Sequence, residues 1–182
     1  SDLYAFAEKS VKPVEFKING KKVTPQIVSG YACFSKKWKK GDMIEVTLPM
    51  DIQKVIANDK VDADKGKIAY QRGPLVYCFE DKDNNDSWLF DTYIAPDAKP
   101  EAKFEKELLG GVESFTINGV KVVSKEGSKS TESVSLKAIP YYAWNNRGAS
   151  YMVTWVPRSE EYTSSKESQG KEMEAKAIAS SD

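Results

Sequence analysis

The stretch Pro140-Tyr-Tyr-Ala-Trp-Asn-Asn-Arg-Gly148 concentrates the side chains best suited to binding. Its aromatic rings could stack on the face of a sugar, while its amide and guanidinium groups hydrogen-bond the hydroxyls. The same residue types also fill a seam between two packed bodies, where an arginine fork bonds backbone carbonyls or a carboxylate. We favour the seam, because Pro140 should end a strand and Arg147-Gly148 should turn the chain back. The candidate seam or platform residues are Tyr141, Tyr142, Trp144, Asn146 and Arg147.

Groups for catalysis are not evident in the rest of the chain. A glycosidase needs two carboxylates placed across the bond it cleaves. Most of the acidic residues lie in polar patterns, where they typically serve solubility or bond the backbone. The chain contains no histidine, so a cysteine or serine nucleophile would lack its usual base. We therefore predict no catalytic residue. The carboxylates considered are Asp62, Asp64, Glu80, Asp81 and Asp91.

The two cysteines do not indicate a metal site. Cys33 and Cys78 each lie in an apolar strand pattern, where a thiol usually serves as a small buried hydrophobe. Zinc requires clustered ligands, and the sequence has no histidine and no Cys-x-x-Cys pair. Gly110-Gly111 lacks the Lys-Ser/Thr that completes a phosphate-binding loop. We predict no metal and no cofactor for this chain.

Charge and hydropathy limit the kinds of partner. Lys plus Arg and Asp plus Glu both number 27, so the zero net charge disfavours a nucleic-acid partner. No apolar run approaches the roughly 18 residues that a membrane-spanning helix needs. The first residues, Ser1-Asp2-Leu3-Tyr4, do not have the pattern of a signal peptide.

Short strand patterns recur along the chain and must position the candidate residues. Residues 14–18 alternate apolar and polar side chains, and Asn19-Gly20 supplies the two positive-φ positions of a type I′ hairpin. Because no helical patterns alternate with these strands, the sequence predicts an all-β fold of antiparallel sandwiches. Further strands are expected at 31–35, 43–48, 52–56, 67–71, 75–79, 133–139 and 151–156.

A second Asn-Gly pair, Asn118-Gly119, predicts a second hairpin within residues 115–122. Residues 16–23 and 115–122 share Phe, Ile, Asn, Gly, Lys and Val at equal offsets. This similarity could mark two related sandwich domains. The alternative, which we favour, is convergence, because any such hairpin needs Asn-Gly in the turn and apolar residues on its buried face.

Three longer segments carry a resemblance to a known family: GYACFSKKWKKGDMIEVTLPMDIQKVIAN, KVDADKGKIAYQRGPLVYCFE and IPYYAWNNRGASYMVTWVP. Together they resemble the C-terminal half of glycoside hydrolase family 127, the β-L-arabinofuranosidase family. In that family an N-terminal (α/α) helical barrel carries a zinc-held cysteine nucleophile and a glutamate acid/base, and β-sandwiches follow. The resemblance does not match Cys33 or Cys78 to the catalytic cysteines, so it gives neither residue a catalytic or zinc-binding role.

The resemblance implies a domain organisation and a function. We expect residues 1–60 to form the C-terminal part of an incomplete first sandwich, 61–157 a second sandwich, and 158–182 a polar linker or tail. The chain is then a non-catalytic accessory region that braces the catalytic helical barrel of its parent or forms subunit contacts, including a homodimer through sandwich edges. The alternative is a carbohydrate-binding module for arabinose-containing plant polysaccharide. A bacterial source is expected, and a periplasmic or secreted location if the parent carries a signal peptide.

Overall fold

The computed structural model describes residues 2–8, 12–85, 87–125 and 128–165. These residues form antiparallel β-strands joined by three-residue 3₁₀ turns, and the described part contains no helix of seven residues or more. The predicted all-β, antiparallel fold class is confirmed. Nowhere in the described ranges is a helix long and apolar enough to cross a membrane.

Fifteen strands are present in the described ranges. In chain order they are β1 (Tyr4–Phe6), β2 (Glu15–Ile18), β3 (Lys21–Val23), β4 (Gln26–Val28), β5 (Tyr31–Cys33), β6 (Ile44–Thr47), β7 (Ile52–Ala57), β8 (Lys67–Arg72), β9 (Leu75–Glu80), β10 (Thr92–Tyr93), β11 (Glu101–Glu105), β12 (Val112–Lys125), β13 (Ser128–Pro140), β14 (Met152–Val153) and β15 (Val156–Pro157).

The chain divides into two compact units. The larger contains Ser1–Glu8 and Ile52–Asp182, and the smaller contains Lys9–Asp51. Strand β7 lies in the larger unit because it pairs with β1 on one side and with β8 on the other. The predicted sandwich boundaries at residues 60 and 157 stay predictions, and residues 166–182 of the predicted tail lie outside the described residues.

The larger unit is built on one hydrogen-bonded sheet. Its strands follow the order β1-β7-β8-β9-β13-β12-β10, with β11 beside β12, β14 beside β9 and β15 beside β8. Alternate residues of β9 face opposite sides, so Tyr77 and Phe79 enter one apolar cluster while Cys78 enters another. Burial on both sides explains the apolar residues 77–79, whereas Val76 is 43% exposed.

Aromatic rings fill the main core of the larger unit. Phe115 is fully buried, and its ring centroid lies 5.2 Å from that of Tyr70 and 5.1 Å from that of Tyr77. Phe79 meets both Tyr70 and Phe115 edge-on, at 6.0 and 5.8 Å. Edge-to-face and tilted pairs of this kind add to the stabilisation from burial alone. This core fixes the position of β9, with which β13 and β14, the strands before and after the candidate residues, both pair.

The two Asn-Gly pairs have different structures. Asn19 and Gly20 have φ values of 51° and 76° and close the β2–β3 hairpin, which confirms the first prediction. The predicted hairpin at Asn118-Gly119 is wrong. Both residues lie inside β12, paired with Ser135 and Val134 of β13. The shared letters of residues 16–23 and 115–122 therefore do not mark a repeated hairpin.

Gly119 has a packing role rather than a turn role. A Cβ at this position would lie 2.9 Å from Leu136 Cδ1 and 3.1 Å from the carbonyl oxygen of Tyr93. A glycine inside a strand often marks such a close approach of a neighbouring backbone. The long pairing of β12 with β13 therefore overrides the local preference of Asn-Gly for a turn.

The smaller unit has an amphipathic three-stranded sheet, ordered β3-β2-β6. The register pairs Phe16 with Val23 and Val46, and Ile18 with Ile44, so these apolar residues share one face. Phe34 packs against Phe16 with ring centroids 5.4 Å apart. Ile44 and Val46 nevertheless remain 46% and 50% exposed, and none of the described residues between 12 and 51 is fully buried.

Residues 151–157 contain two short strands instead of the single predicted one. Thr154 and Trp155 form a bend between β14 and β15, and the bend brings the Trp155 ring to 5.5 Å from that of Tyr4. β14 pairs with β9, whereas β15 pairs with β8. The chain thus passes from β9 to β8 between these two short strands.

Candidate functional site

The candidate residues lie on a corner of chain, residues 140–151, between β13 and β14. Strand β13 ends at Pro140, as predicted, and a 3₁₀ turn covers Tyr141–Ala143. Asn145 and Gly148, with φ values of 62° and 92°, then reverse the chain. Because β13 and β14 both pair with β9, the corner lies against the end of that strand.

Arg147 attaches the corner to two carboxylates. Its Nη1 donates to Asp83 Oδ1 at 2.9 Å and its Nη2 to Asp83 Oδ2 at 2.5 Å, while Nη2 also contacts Glu80 Oε2. The Glu80 side chain is 0% exposed and that of Asp83 6% exposed. The hydrogen bonds to Asp83 and then Glu80 raise the pKa of Arg147, against the opposing effect of burial. The guanidinium therefore stays charged and neutralises a buried acidic pair.

Glu80 and its neighbour Asp81 bind other parts of the corner. Glu80 Oε1 accepts a hydrogen bond from Ser150 Oγ at 2.5 Å and one from the Asn145 backbone N–H at 3.3 Å. Asp81 Oδ2 accepts from the Tyr151 N–H at 3.1 Å. The corner is thus fixed at Asn145, Ser150 and Tyr151 to the end of β9 and the residue that follows it. An arrangement of this kind holds a loop in one conformation.

A second cation extends the network across the sheet. Lys137 Nζ lies 2.9 Å from Glu105 Oε1 and 3.7 Å from Asp83 Oδ1. Ser114 Oγ also donates to Glu105 Oε1. The hydrogen bonds from Ser114 and Lys137 lower the pKa of Glu105. Glu80, Asp83 and Glu105 are therefore each paired with a cation.

The structure separates the candidate residues into two groups. Asn146 Nδ2 donates to the carbonyl oxygens of Ala143 and Trp144, at 3.0 and 3.3 Å, so its amide N–H groups are used within the turn. Trp144 is half-buried in the cluster that contains Cys78, and its indole Nε1 is buried without a hydrogen-bond partner among the described residues. Tyr141 and Tyr142, by contrast, are 47% and 63% exposed. Of the three aromatic candidates, these two tyrosines are the exposed ones.

Sequence reasoning considered Glu80 only as one of several carboxylates and did not single out Asp83. The available signal was the position of Glu80 at the end of the apolar run 75–79, on the same side of the strand as buried Cys78. A carboxylate in that position needs a partner, because an unpaired buried charge is strongly unfavourable. The sequence alone does not reveal that the partner is Arg147.

The arrangement does not favour nucleophilic or acid–base catalysis. Burial, with smaller contributions from Glu80 and Asp83, raises the pKa of the Cys78 thiol to about 12, so its nucleophilic thiolate is suppressed. Glu80 and Asp83 are both bound by Arg147 rather than opposed across an open cleft. Among the described residues, no group of three or more His, Cys, Asp and Glu is placed to hold a metal ion. The residues of this chain that the structure describes do not fit a zinc site.

The other carboxylates lie apart from the corner. Asp62 and Asp64 belong to one 3₁₀ turn, where Asp64 accepts a hydrogen bond from Tyr4 Oη at 3.4 Å. Asp91 lies 3.8 Å from Lys121 Nζ and accepts a hydrogen bond from Thr92 at 3.1 Å. Burial raises the pKa of Asp91, and Lys121 opposes that effect. These contacts are those of structural ion pairs and turns.

Two family models match this chain. The model of the glycoside hydrolase family 127 C-terminal domain matches residues 52–157. The model of the β-L-arabinofuranosidase GH127 middle domain matches residues 8–50. The boundary between the two matches coincides with the division between Asp51 and Ile52 in the structure.

Three similar proteins are named as arabinofuranosidases, and two of them as members of GH127. A non-reducing end β-L-arabinofuranosidase from Bifidobacterium longum subsp. longum is 33% identical over 146 residues, which cover 71% of this chain and 22% of that protein. A solved GH127 β-arabinofuranosidase is 35% identical, with a TM-score of 0.83 over 90% of this chain and 26% of the other. A GH127 β-L-arabinofuranosidase from Geobacillus stearothermophilus T6 is 39% identical, with a TM-score of 0.73, covering 80% and 24%. The chain thus spans about a quarter of these relatives.

Proposed function

Because this chain belongs to glycoside hydrolase family 127, we propose that it is a non-catalytic accessory region of a longer glycoside hydrolase. In this role it braces a catalytic helical barrel or forms contacts between subunits. The proposed parent is a β-L-arabinofuranosidase-like enzyme, as the names of its relatives suggest.

The internal use of the corner's polar groups carries the proposal. Arg147 is bound to Glu80 and Asp83, and the Asn146 amide donates to backbone carbonyls of its own turn. To bind a substrate hydroxyl, Arg147 would have to leave two buried carboxylates, which costs several kcal/mol, and the Asn146 amide would have to break hydrogen bonds within its own turn. The corner is therefore better suited to holding its shape than to reacting with a ligand. A rigid corner of this kind is what a bracing module needs.

Carbohydrate binding remains the second candidate, favoured by one observation. Tyr141 and Tyr142 expose 47% and 63% of their surface, enough for a sugar ring to stack on one of them. Stacking alone gives little orientation, because ligand sites usually add a few placed polar groups, and here the Asn146 N–H groups and the Arg147 guanidinium are bonded within the corner. We rank this function below the accessory role for that reason.

The accessory proposal is tested by activity of the chain itself. We expect the purified chain to release no aryl group from α- or β-arabinofuranosides above the blank rate, with or without added zinc. Turnover well above the blank that a single substitution abolishes would overturn the proposal.

A separate titration with arabinan and arabino-oligosaccharides tests the second candidate. Saturable binding that Tyr142→Ala abolishes and Tyr31→Ala leaves unchanged would establish a carbohydrate-binding module instead; Tyr31, 76% exposed in the smaller unit, is the matched control.

A further inference from the structure

The segment after β15 is attached to the larger unit along its described length. The Arg158 N–H donates to the Gly66 carbonyl oxygen at 3.0 Å, and the Ser164 N–H donates to the Phe90 carbonyl oxygen at 2.8 Å. The Trp88 indole Nε1 in turn donates to the Ser164 carbonyl oxygen at 3.2 Å. Residues 158–165, called the strap below, therefore connect the turn before β8 with the turn at residues 88–90. The strap lies beyond the segment 52–157 that matches the family's C-terminal domain.

The Tyr162 ring of the strap packs directly against Gly66. A Cβ built on Gly66 would overlap the Tyr162 ring, so the ring occupies the space that any larger residue would need. Gly66 has a φ of 70°, which also favours glycine at this position. A 3₁₀ turn, Glu160–Tyr162, directs the ring, and Thr163 closes the turn with hydrogen bonds from its N–H and Oγ1 to the Glu160 carbonyl oxygen, at 3.0 and 2.7 Å.

The far end of the strap covers an aromatic group. The Trp88 ring centroid lies 4.8 Å from that of Phe90 and 5.6 Å from that of Tyr151. Ser164 satisfies both the indole N–H of Trp88 and the carbonyl oxygen of Phe90. If the strap were released, the Gly66 and Phe90 carbonyl oxygens and the Trp88 indole N–H would therefore lose these hydrogen bonds and would bond to water instead.

We propose that residues 158–165 are a strap that opens and closes as one unit on the folded sheet, with the Tyr162 ring on Gly66 as the contact that keeps it closed. The strap is joined by backbone and indole hydrogen bonds, by an exposed ion pair between Glu160 and Lys129 at 3.7 Å and by one ring, whereas the aromatic core holds β8 and β9. Segments with few buried apolar contacts open locally at lower cost than the core does. Opening uncovers Trp88 and Phe90 while β8 and β9 stay paired.

Native-state amide hydrogen exchange of the unmodified chain tests directly whether the whole strap opens together. We expect the Arg158 and Ser164 amides to show the same intermediate protection, clearly below that of the Cys78 and Phe79 amides in β9. Exchange of the strap amides at the rate of an unstructured peptide, or protection that differs widely between Arg158 and Ser164, would overturn the proposal.

Limited trypsin digestion tests the role of Tyr162. Arg158 is exposed, so cleavage after it reports how often the strap opens. We expect Tyr162→Ala to cleave there about tenfold faster than wild type, because cleavage follows the population of the open form. Tyr162→Phe keeps the ring and should cleave like wild type, as should Tyr142→Ala, which removes an exposed tyrosine elsewhere. Equal rates for wild type and Tyr162→Ala would show that the ring does not hold the strap.

Discussion

Arg147 lies between two carboxylates, Glu80 and Asp83, whose side chains are 0% and 6% exposed. Replacing it with leucine would leave both buried carboxylates without their main partner. The loss of one partner from a buried ion pair typically costs about 3–5 kcal/mol. We therefore expect Arg147→Leu to lower the free energy of unfolding by that amount, which a shift of the urea midpoint measures.

A surface pair provides the control for this substitution. Lys22 Nζ lies 2.6 Å from Glu15 Oε1, but the two side chains are 69% and 40% exposed. Solvent screens an exposed ion pair so that it contributes little to stability, and Lys22→Leu should leave the midpoint nearly unchanged. A small loss for Arg147→Leu, comparable to that of Lys22→Leu, would contradict the structural role of the corner.

Two core tyrosines should respond in opposite directions to loss of the hydroxyl. Tyr70 Oη is buried without a hydrogen-bond partner among the described residues, and burial raises its pKa. Tyr77 Oη donates to the Glu113 carbonyl oxygen at 2.7 Å. We expect Tyr77→Phe to destabilise by about 0.5–1.5 kcal/mol and Tyr70→Phe to be neutral or stabilising by up to about 1 kcal/mol. Chemical denaturation of both variants measures the difference, and a Tyr70→Phe loss as large as that of Tyr77→Phe would refute it.

At the residue scale, the sequence predicts the type of contact but not the partner. Arg-Gly after a run of aromatics indicates a guanidinium fork that bonds a carboxylate or carbonyls, and Arg147 makes such a fork. Glu80 and Asp83 lie on β9 and the turn after it, far from Arg147 along the chain. Only the pairing of β13 and β14 with β9 brings them together. Side-chain partners that depend on sheet order cannot be obtained from local patterns.

At the scale of elements, Gly20 and Gly119 are required for different reasons. Gly20 has a φ of 76° and open space around the position a Cβ would take, with nothing within 4 Å, so its requirement is the backbone conformation. Asparagine adopts this left-handed conformation readily, and Gly20→Asn should cost less than about 0.5 kcal/mol. Gly119 has no room for a side chain beside Leu136 and Tyr93, and Gly119→Asn should cost about 1–3 kcal/mol or more.

Thermal unfolding of the two variants compares these costs. Equal melting temperatures would mean that β12 adjusts easily around residue 119, contrary to the packing seen at Leu136. A second comparison is Gly119→Asn in a Leu136→Ala background. The added side chain should be better tolerated there, because truncation of Leu136 removes the atom that lies 2.9 Å from the Cβ position.

The two Asn-Gly segments also show why the fold class could be predicted and one hairpin could not. Period-two alternation and turn residues correctly indicate the antiparallel all-β class, although β1 and β4 are not among the predicted strands. The turn signal at Asn118-Gly119 competes with the register of β12 and β13, which runs continuously from Phe115–Ala138 to Lys125–Ser128. The pairing of β12 with β13 outweighs the turn preference of one dipeptide. A single sequence gives no measure of the strength of that pairing.

At the scale of the whole molecule, the smaller unit presents apolar surface that a second copy could cover. Val14, Ile44, Val46 and Leu48 are between 42% and 56% exposed. Uncovered apolar faces and edge strands favour association. We expect the chain to self-associate as its concentration rises, in keeping with the proposed subunit contacts. Size-exclusion chromatography with light scattering measures this, and a strict monomer at high concentration would contradict it.

Adjacent positions on β6 provide the matched test. Val46 lies on the apolar face with Phe16, whereas Thr47 pairs with Glu15 on the polar face. Val46→Glu should shift the protein toward the monomer, while Thr47→Glu adds the same charge one residue away and should not. Equal effects of the two substitutions would point to general charge repulsion rather than to the apolar face.

The placement of β1 has a further consequence for how this protein could be rebuilt. β1 precedes the smaller unit, β7 follows it, and the two strands pair, with Phe6 opposite Val55 and the Ala7 N–H bonded to the Lys54 carbonyl oxygen at 2.9 Å. The smaller unit is therefore an insertion between two neighbouring strands of one hairpin. Changing the length of such a segment is inexpensive, since each doubling of a flexible loop costs only about 0.6 kcal/mol. A short turn or a foreign domain could therefore replace residues 9–51 without altering the pairing of β1 with β7.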